Sequence, residues 1–184
     1  MNSNLDWEMQ KLEVKWKKCL RCTIGSYAFS HVVGEGSVPA KYLFVGEGPG
    51  VSEDVLGIPF IGKSGKLLRE ALKTSGFLPN EFYITNLVAC RPCDQKSGPN
   101  RAPTDVEILN CSERLEELAK LVKPKLIVAV GSVAGDWLSE ILSNYRMIKI
   151  KHPAYILRSG GEKGELYKNW LASIKFLRKL IKEK

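Results

Sequence analysis

The chain has 184 residues, of which 44% are hydrophobic, and a formal net charge of +8. This size and apolar content suit one domain over residues 1–184 with its own core. No apolar run approaches the ~20 residues that a membrane span needs, and the charged N-terminus lacks a signal stretch. We therefore expect an intracellular monomer without membrane contact. The positive charge predicts a polyanionic partner such as a nucleic acid, although a basic soluble protein has the same balance.

The first half of the chain alternates amphipathic segments with short apolar runs. Residues 5–18 predict a helix with one apolar face. The run at 42–45, halted by a glycine cluster, predicts a buried strand. Residues 63–74 predict a second helix, and residues 82–88 predict a second buried strand.

The second half repeats this alternation. Thr104 and Glu107 form the pattern of a capping box, which predicts the start of a helix that reaches about Leu121. The later elements are a strand at 125–130, a helix at 132–142, a strand at 146–150 and a helix from 164 to 184. Strands alternating with helices predict an α/β domain of three layers, α/β/α, around a four-stranded parallel sheet.

In such sheets the ligand crevice lies beyond the carboxyl ends of the strands. The segments that follow the predicted strands are 46–54, 86–93, 131–134 and 151–158. We expect the polar residues of a functional site to come from these four segments.

Five cysteines form two groups that are far apart in the sequence. Cys19 and Cys22 make a Cys-x-x-Cys pair within the N-terminal segment, and Cys90, Cys93 and Cys111 lie far downstream. Inside a cell disulfides are disfavoured, so the pattern predicts a site for zinc or an iron–sulfur cluster. The alternative is that the cysteines are small buried hydrophobic residues.

Residues 57–64 match the phosphate-loop pattern G-x-x-x-x-G-K-[ST] letter for letter. The match lacks its physical context, because Pro59 removes a backbone N–H from the cradle and no buried strand leads directly into the loop. We set the nucleotide-hydrolase interpretation aside. Instead, Phe60 is either a core residue or an aromatic face on which a base stacks.

Several motifs follow one another in order along the chain. They are GEGPG at 46–50 with PF at 59–60, YITN at 83–86, CRP at 90–92 and HPAYILR at 152–158. Together they resemble the motifs of the family 4 uracil-DNA glycosylases, iron–sulfur members of the uracil-DNA glycosylase superfamily. The resemblance runs from Cys19 to about Arg158. The loop from 90 to 111 is longer, and the stretch from 131 to 152 shorter, than in typical members.

The resemblance implies one [4Fe-4S] cluster. Its ligands would be Cys19, Cys22, Cys90 and Cys111, in line with the separate argument from cysteine spacing. Cys93 is then surplus, with replacement of Cys90 as its alternative role. The cluster would tie residues 1–22 to the 90–111 loop, and redox sensing is a second possibility.

The same resemblance implies a monofunctional DNA glycosylase of base excision repair that removes uracil from single- and double-stranded DNA. The base would leave the helix and enter a pocket. The residues implied to hold uracil are Glu47, Gly48, Phe60, Asn86 and His152. Phe60 would stack on the base, Asn86 would read its edge, and His152 would stabilise the departing anion. A carboxylate would position water, with Glu47 first, Glu53 second and Asp54 third, although each of them is equally suited to capping a helix.

DNA contacts are also implied. Ile156 and Leu157 would fill the gap left by the flipped base, and Arg158 would reach a phosphate. Lys63 and Ser64, at a predicted helix start, are further phosphate ligands. Two other functions remain open: a glycosylase for other deaminated bases such as hypoxanthine or xanthine, and a catalytically silent iron–sulfur module that binds DNA.

Overall fold

A computed structural model describes residues 3–161 and 164–181 of the chain. In this part of the chain the sheet has five strands in the order β1-β3-β2-β4-β5. Their bounds are β1 (Glu35–Gly36), β2 (Tyr42–Gly46), β3 (Phe82–Asn86), β4 (Leu126–Val130) and β5 (Met147–Ile150). No helix of the described residues is long and apolar enough to cross a membrane.

The four predicted strands are confirmed, and they run parallel to one another. The expected strand count was wrong by one, because β1 pairs antiparallel with β3 at the sheet edge. This strand has two residues, both exposed, so it carries neither an apolar run nor an alternating pattern that would reveal it.

Eight α-helices are present in the described residues. They are α1 (Ser3–Lys17), α2 (Thr23–Tyr27), α3 (Val51–Leu56), α4 (Lys63–Thr74), α5 (Asp105–Val122), α6 (Ser132–Ile141), α7 (Pro153–Arg158) and α8 (Glu165–Leu180). The five long ones were predicted, and the capping box at Thr104 and Glu107 is confirmed. The expected end of the last helix, at 182–184, lies outside the described residues. The short helices α2, α3 and α7 were not predicted, since one or two turns leave little periodicity.

Alternate residues of the central strand β2 supply two separate cores. Leu43 and Val45 face a cluster that contains residues of α1, α5 and α6. Tyr42 and Phe44 face a second cluster with residues of α4 and α8. Burial on both faces explains why β2 is a continuous apolar run and not an alternating one. The three-layer α/β/α architecture is therefore confirmed.

The strand order creates a crevice. β2 and β4 are neighbours, yet the chain leaves β2 toward α4 on one face and leaves β4 toward α6 on the other. Where connections from adjacent parallel strands diverge to opposite faces, the loops separate at the carboxyl end of the sheet. The loops after β2 and β4 therefore open a cleft between them.

A buried arginine joins α5 to the functional end of the sheet. Arg114 is fully buried. Its guanidinium donates to four oxygens: Val33 O (2.9 Å), Thr85 Oγ1 (3.0 Å), Asn86 O and Leu87 O (3.1 Å). Its Nε also donates to Cys111 Sγ at 3.3 Å. Because a buried charge is tolerated only when its hydrogen bonds are satisfied, this network fixes where β3 ends.

We expect Arg114→Met to lower the free energy of unfolding by about 3 kcal/mol or more, because it leaves several buried acceptors without a donor. Urea denaturation measures the change. Arg146→Met is the matched control, since Arg146 is exposed and donates to one carbonyl, that of Leu180. A loss at Arg114 no larger than that of the control would contradict this account of the network.

Candidate active site and cysteine cavity

A cleft of about 1120 Å³ opens at the carboxyl ends of the parallel strands. It brings together residues that are distant in sequence. Ten of the predicted site residues line it: Glu47, Gly48, Glu53, Phe60, Lys63, Ser64, Asn86, His152, Leu157 and Arg158. Neighbouring strand ends and the loops that leave them supply these side chains, as expected for a doubly wound sheet.

Gly46, the last residue of β2, lies beside two of the predicted site residues. A side chain at Gly46 would collide with the Phe60 ring on one side and with the Asn86 amide oxygen on the other. The Phe60 ring lies 6.3 Å from the His152 ring, centroid to centroid, with the planes tilted by 34°. An aromatic ring, an amide and an imidazole therefore lie close together in this part of the cleft.

A backbone N–H close to His152 determines which nitrogen of its imidazole carries the proton. Nδ1 accepts a hydrogen bond from the backbone N–H of Ala154 at 3.1 Å. Burial, and secondarily the charge of Arg158, lower the pKa of His152 below its ordinary value of 6.5. The neutral imidazole with Nδ1 as acceptor has its proton on Nε2. His152 is therefore a neutral hydrogen-bond donor through Nε2.

The three candidate carboxylates have different surroundings. Glu53 Oε1 accepts from the backbone N–H groups of Ile61 (3.0 Å) and Gly62 (2.8 Å), and Oε2 accepts from Gly50 (3.1 Å). Asp54 is buried and accepts from the backbone N–H groups of residues 29 and 30. Both carboxylates hold loops together, and the catalytic role expected of Glu53 stays a prediction.

Glu47 is the carboxylate that remains available in the cleft. It is half-buried, and within 3–161 and 164–181 its carboxylate has no hydrogen-bond partner or ion pair. Burial raises the pKa of Glu47 above its ordinary value of 4.5. An ionised carboxylate in such a place is free to orient a water molecule or to face a developing cation.

The predicted wedge is corrected in one residue. Ile156 is fully buried in the core with α4 and α8 residues, because the short helix α7 turns it inward. Leu157 is half-buried and lines the cleft, and Tyr155, which was not predicted, is 45% exposed there. Leu157 and Tyr155 are therefore the neighbouring large side chains of α7 that reach the cleft.

Several cleft residues were missed by sequence reasoning. Lys149 and Lys151 add positive charge to the rim, where Arg101 also lies with its guanidinium paired to Asp94 and Glu107. Lys149 and Lys151 are two residues apart at the end of β5, a spacing that places both on one face of a strand. The spacing of two residues between Lys149 and Lys151 was the sequence signal that could have identified these two lysines.

A second, small cavity of about 20 Å³ is lined by Cys19, Cys22, Cys90 and Cys111. All of them are free thiols. Burial raises the pKa of Cys90, and the charges of Cys111, Cys22 and Cys19 act in the same direction. Each group therefore lies near enough to the others to disfavour their joint ionisation, unless a cation is bound among them.

The donor set fits a thiolate-bound group. Arg114 donates to Cys111 Sγ, and the backbone N–H of Gly25 donates to Cys22. Hydrogen bonds to sulfur are a common feature around thiolate-bound clusters. Cys93 is buried outside this cavity and donates to the Arg91 carbonyl at 3.6 Å. Among the described residues, no three His, Cys, Asp or Glu side chains are spaced to hold a single metal ion.

Comparison with known proteins identifies the family. The family model described as "Uracil DNA glycosylase superfamily" matches residues 33–175. Three relatives carry the name type-4 uracil-DNA glycosylase. The one from Thermotoga maritima is 34% identical, with 95% of each chain aligned. The one from Pyrobaculum aerophilum is 34% identical over 91% of this chain and 78% of its own, and the one from Archaeoglobus fulgidus 33% identical over 79% and 71%.

The fold and the site define an α/β protein with its cleft at the carboxyl end of a parallel sheet and a four-cysteine cavity beside it. The chain belongs to the uracil DNA glycosylase superfamily and, within it, to the type-4 family.

We expect Glu47→Gln to stabilise the folded protein near neutral pH, because it removes a charge that burial disfavours. The pKa of Glu47 is raised in the folded state. The wild-type protein therefore compares best with the variant below pH 4.5, where Glu47 is protonated in both the folded and the unfolded state. It loses that advantage as the pH rises through the raised pKa. Urea denaturation of both proteins from pH 4 to pH 8 tests this. A stability difference that stays constant over that range would contradict it.

Proposed function

We propose that the protein removes uracil from DNA by hydrolysing the N-glycosidic bond, the first step of base excision repair inside the cell. The observation that carries the proposal is the convergence of Phe60, Asn86 and His152 on one pocket at the rim of a cleft. Family membership supports the same activity. Both single- and double-stranded DNA are substrates, with the base flipped out of the helix to reach the pocket.

Asn86 selects the base in this proposal. Its amide offers an acceptor to uracil N3–H and a donor to O4, whereas cytosine presents the opposite polarity at that edge. Asn86 is almost fully buried, and its backbone oxygen accepts from Arg114. A desolvated amide discriminates strongly, because a wrongly matched base leaves buried polar groups unpaired.

His152 stabilises the leaving group. As the glycosidic bond breaks, negative charge gathers on the departing uracil, and the Nε2–H of His152 donates to the O2 oxygen. The neutral state suits a donor that need not transfer its proton. One donor aimed at developing charge commonly contributes about 10²–10³ in rate.

Glu47 assists the attack of water. The sugar develops cationic character as the base leaves, and an ionised Glu47 stabilises that charge and orients the nucleophilic water. No other candidate carboxylate at the cleft is free for this role, since Glu53 holds three backbone N–H groups. We therefore assign the water to Glu47. The lysines that line the cleft have no role in the proposed chemistry, which requires no covalent enzyme intermediate.

The basic rim of the cleft binds the DNA backbone. Lys63 and Ser64 lie at the N-terminus of α4, and Arg158 ends α7. The lysines at 149 and 151 extend this charge along the rim. Such contacts position the strand without reading its sequence.

The four cysteines of the small cavity would hold one [4Fe-4S] cluster. When bound, the cluster supplies a rigid cross-link between distant segments of the chain. Four thiols brought together from distant segments, with hydrogen bonds to the sulfurs of Cys22 and Cys111, favour a cluster over the alternative of zinc. Here the link would join the N-terminal pair, Cys19 and Cys22, to Cys90 and to Cys111 of α5. The segment between these two cysteines includes Asn100 and Arg101, which line the cleft.

We expect Asn86→Asp to slow uracil excision by roughly 100-fold and to allow excision of cytosine, since a carboxylate accepts from the cytosine amino group. A gel assay on oligonucleotides containing uracil, cytosine, hypoxanthine or xanthine measures both rates. Asn169→Asp, on the exposed face of α8, is the matched control. Loss of uracil activity without a gain on cytosine would contradict edge reading, and wild-type activity on hypoxanthine alone would shift the substrate class.

We expect Cys111→Ser to lose the visible iron–sulfur absorbance and the bound iron and sulfide, because it removes one of four ligands. Cys93→Ser is the matched control. It should keep the visible absorbance, the bound iron and the bound sulfide, since the Cys93 thiol lies outside the cavity. Absorbance spectra with iron, zinc and sulfide analysis test the assignment. Bound zinc without sulfide in the wild-type protein, or loss of the cluster on changing Cys93, would refute it.

A further inference from the structure

Phe60 has a backbone conformation that its side chain disfavours. Its φ is +54°, in the left-handed region that non-glycine residues seldom adopt. The ring is almost fully buried and still lines the cleft. A side chain at Gly65 would collide with the backbone of Phe60, so the loop is pressed against the start of α4. Such a conformation persists only where surrounding contacts hold it.

Arg69 supplies two of those contacts, next to the hydrogen bonds by which Glu53 holds Ile61 and Gly62. It lies on α4, and its Nε donates to the carbonyl oxygen of Phe60 at 2.9 Å. Its Nη2 donates to the carbonyl oxygen of Pro59 at 2.7 Å. One planar guanidinium therefore holds two consecutive carbonyls, a geometry that a lysine ammonium cannot reproduce.

Glu35 holds Arg69 in turn. The two side chains form an ion pair through Arg69 Nη2 and Glu35 Oε2. Glu35 belongs to β1, where it pairs with Ile84 of β3. Asn86 is the last residue of the same β3 strand. The chain of contacts thus connects the loop that presents the aromatic face to the strand that presents the amide.

We propose that Arg69, held by Glu35, is a positioning residue that sets the distance between the Phe60 ring and the Asn86 amide, and so the fit of the pocket to uracil. This inference rests on the proposed function, in which these two groups bind the base. It also gives a role to the edge strand β1. Arg69 itself touches the backbone of the Phe60 loop and is absent from the lining of the cleft.

Arg69→Gln removes the guanidinium that binds the carbonyl oxygens of Pro59 and Phe60. The loop at 57–62 then becomes more mobile, and the Phe60 ring no longer has a fixed position relative to the base. Misplacement of a binding group by an ångström costs up to about 100-fold in rate. We expect the single-turnover excision rate to fall roughly 10- to 100-fold. Arg69→Lys restores only part of that loss, and Glu35→Gln gives a smaller loss of the same kind.

The experiment combines three measurements on the full chain, with Arg146→Gln as the matched control because Arg146 also donates to a backbone carbonyl, far from the cleft. Single-turnover rates are measured on a uracil oligonucleotide, and binding is measured on the same oligonucleotide without uracil. Hydrogen exchange is followed in the peptide that covers 57–64. Thermal unfolding of each variant accounts for any general loss of stability.

The inference predicts a slower excision rate, unchanged binding of uracil-free DNA and faster exchange confined to 57–64. It also predicts that adding Arg69→Gln to Phe60→Ala slows the enzyme little further, since both changes act through one ring. Additive losses, or unchanged exchange in that peptide, would overturn it. If Arg69→Gln does not fold, Glu35→Gln decides by the same criteria. An inactive wild-type protein would refute the proposed function, while the exchange result would still judge the role of Arg69.

Discussion

The buried guanidinium of Arg114 is the interaction on which the rest of this structure depends. It is fully removed from water, and its donors are shared among backbone oxygens at 33, 86 and 87, the Thr85 hydroxyl and the Cys111 sulfur. The end of β3 can take only one position relative to α5 and the cysteine cavity, because any shift would strand a buried cation. The same guanidinium therefore positions both Asn86, the proposed base-reading residue, and Cys111, a proposed cluster ligand.

Burial and hydrogen bonding give chemically identical groups different roles in this cleft. Glu53 is saturated by three backbone N–H groups and holds a loop, whereas Glu47, six residues earlier, has no described partner and a raised pKa. His152 has its proton placed on Nε2 by a backbone amide two residues later. Function is thus assigned by surroundings and not by residue type.

Much of the fold was predictable, since the apolar runs of β2, β3 and β4 are long enough to predict buried parallel strands. The location of the site was also predictable, because the carboxyl ends of these parallel strands lie at one edge of the sheet and the segments that follow them meet there. Residues that depend on a single turn or a short pairing were not. Ile156 is turned inward by the short helix α7, β1 has no recognisable sequence pattern, and no motif includes Arg69.

The sequence by itself determined the alternation of strands and helices, the two groups of cysteines and the motifs whose order marks the family. These are local properties, readable from periodicity, spacing and residue chemistry. Only the tertiary structure decided which carboxylate is free, which face of α7 meets the cleft and which arginine holds the Phe60 loop. Those outcomes depend on contacts that no local pattern reveals, such as those of Asp54 with Phe29 and of Arg69 with Glu35, 25 and 34 residues apart in the chain, and on how much water each side chain retains.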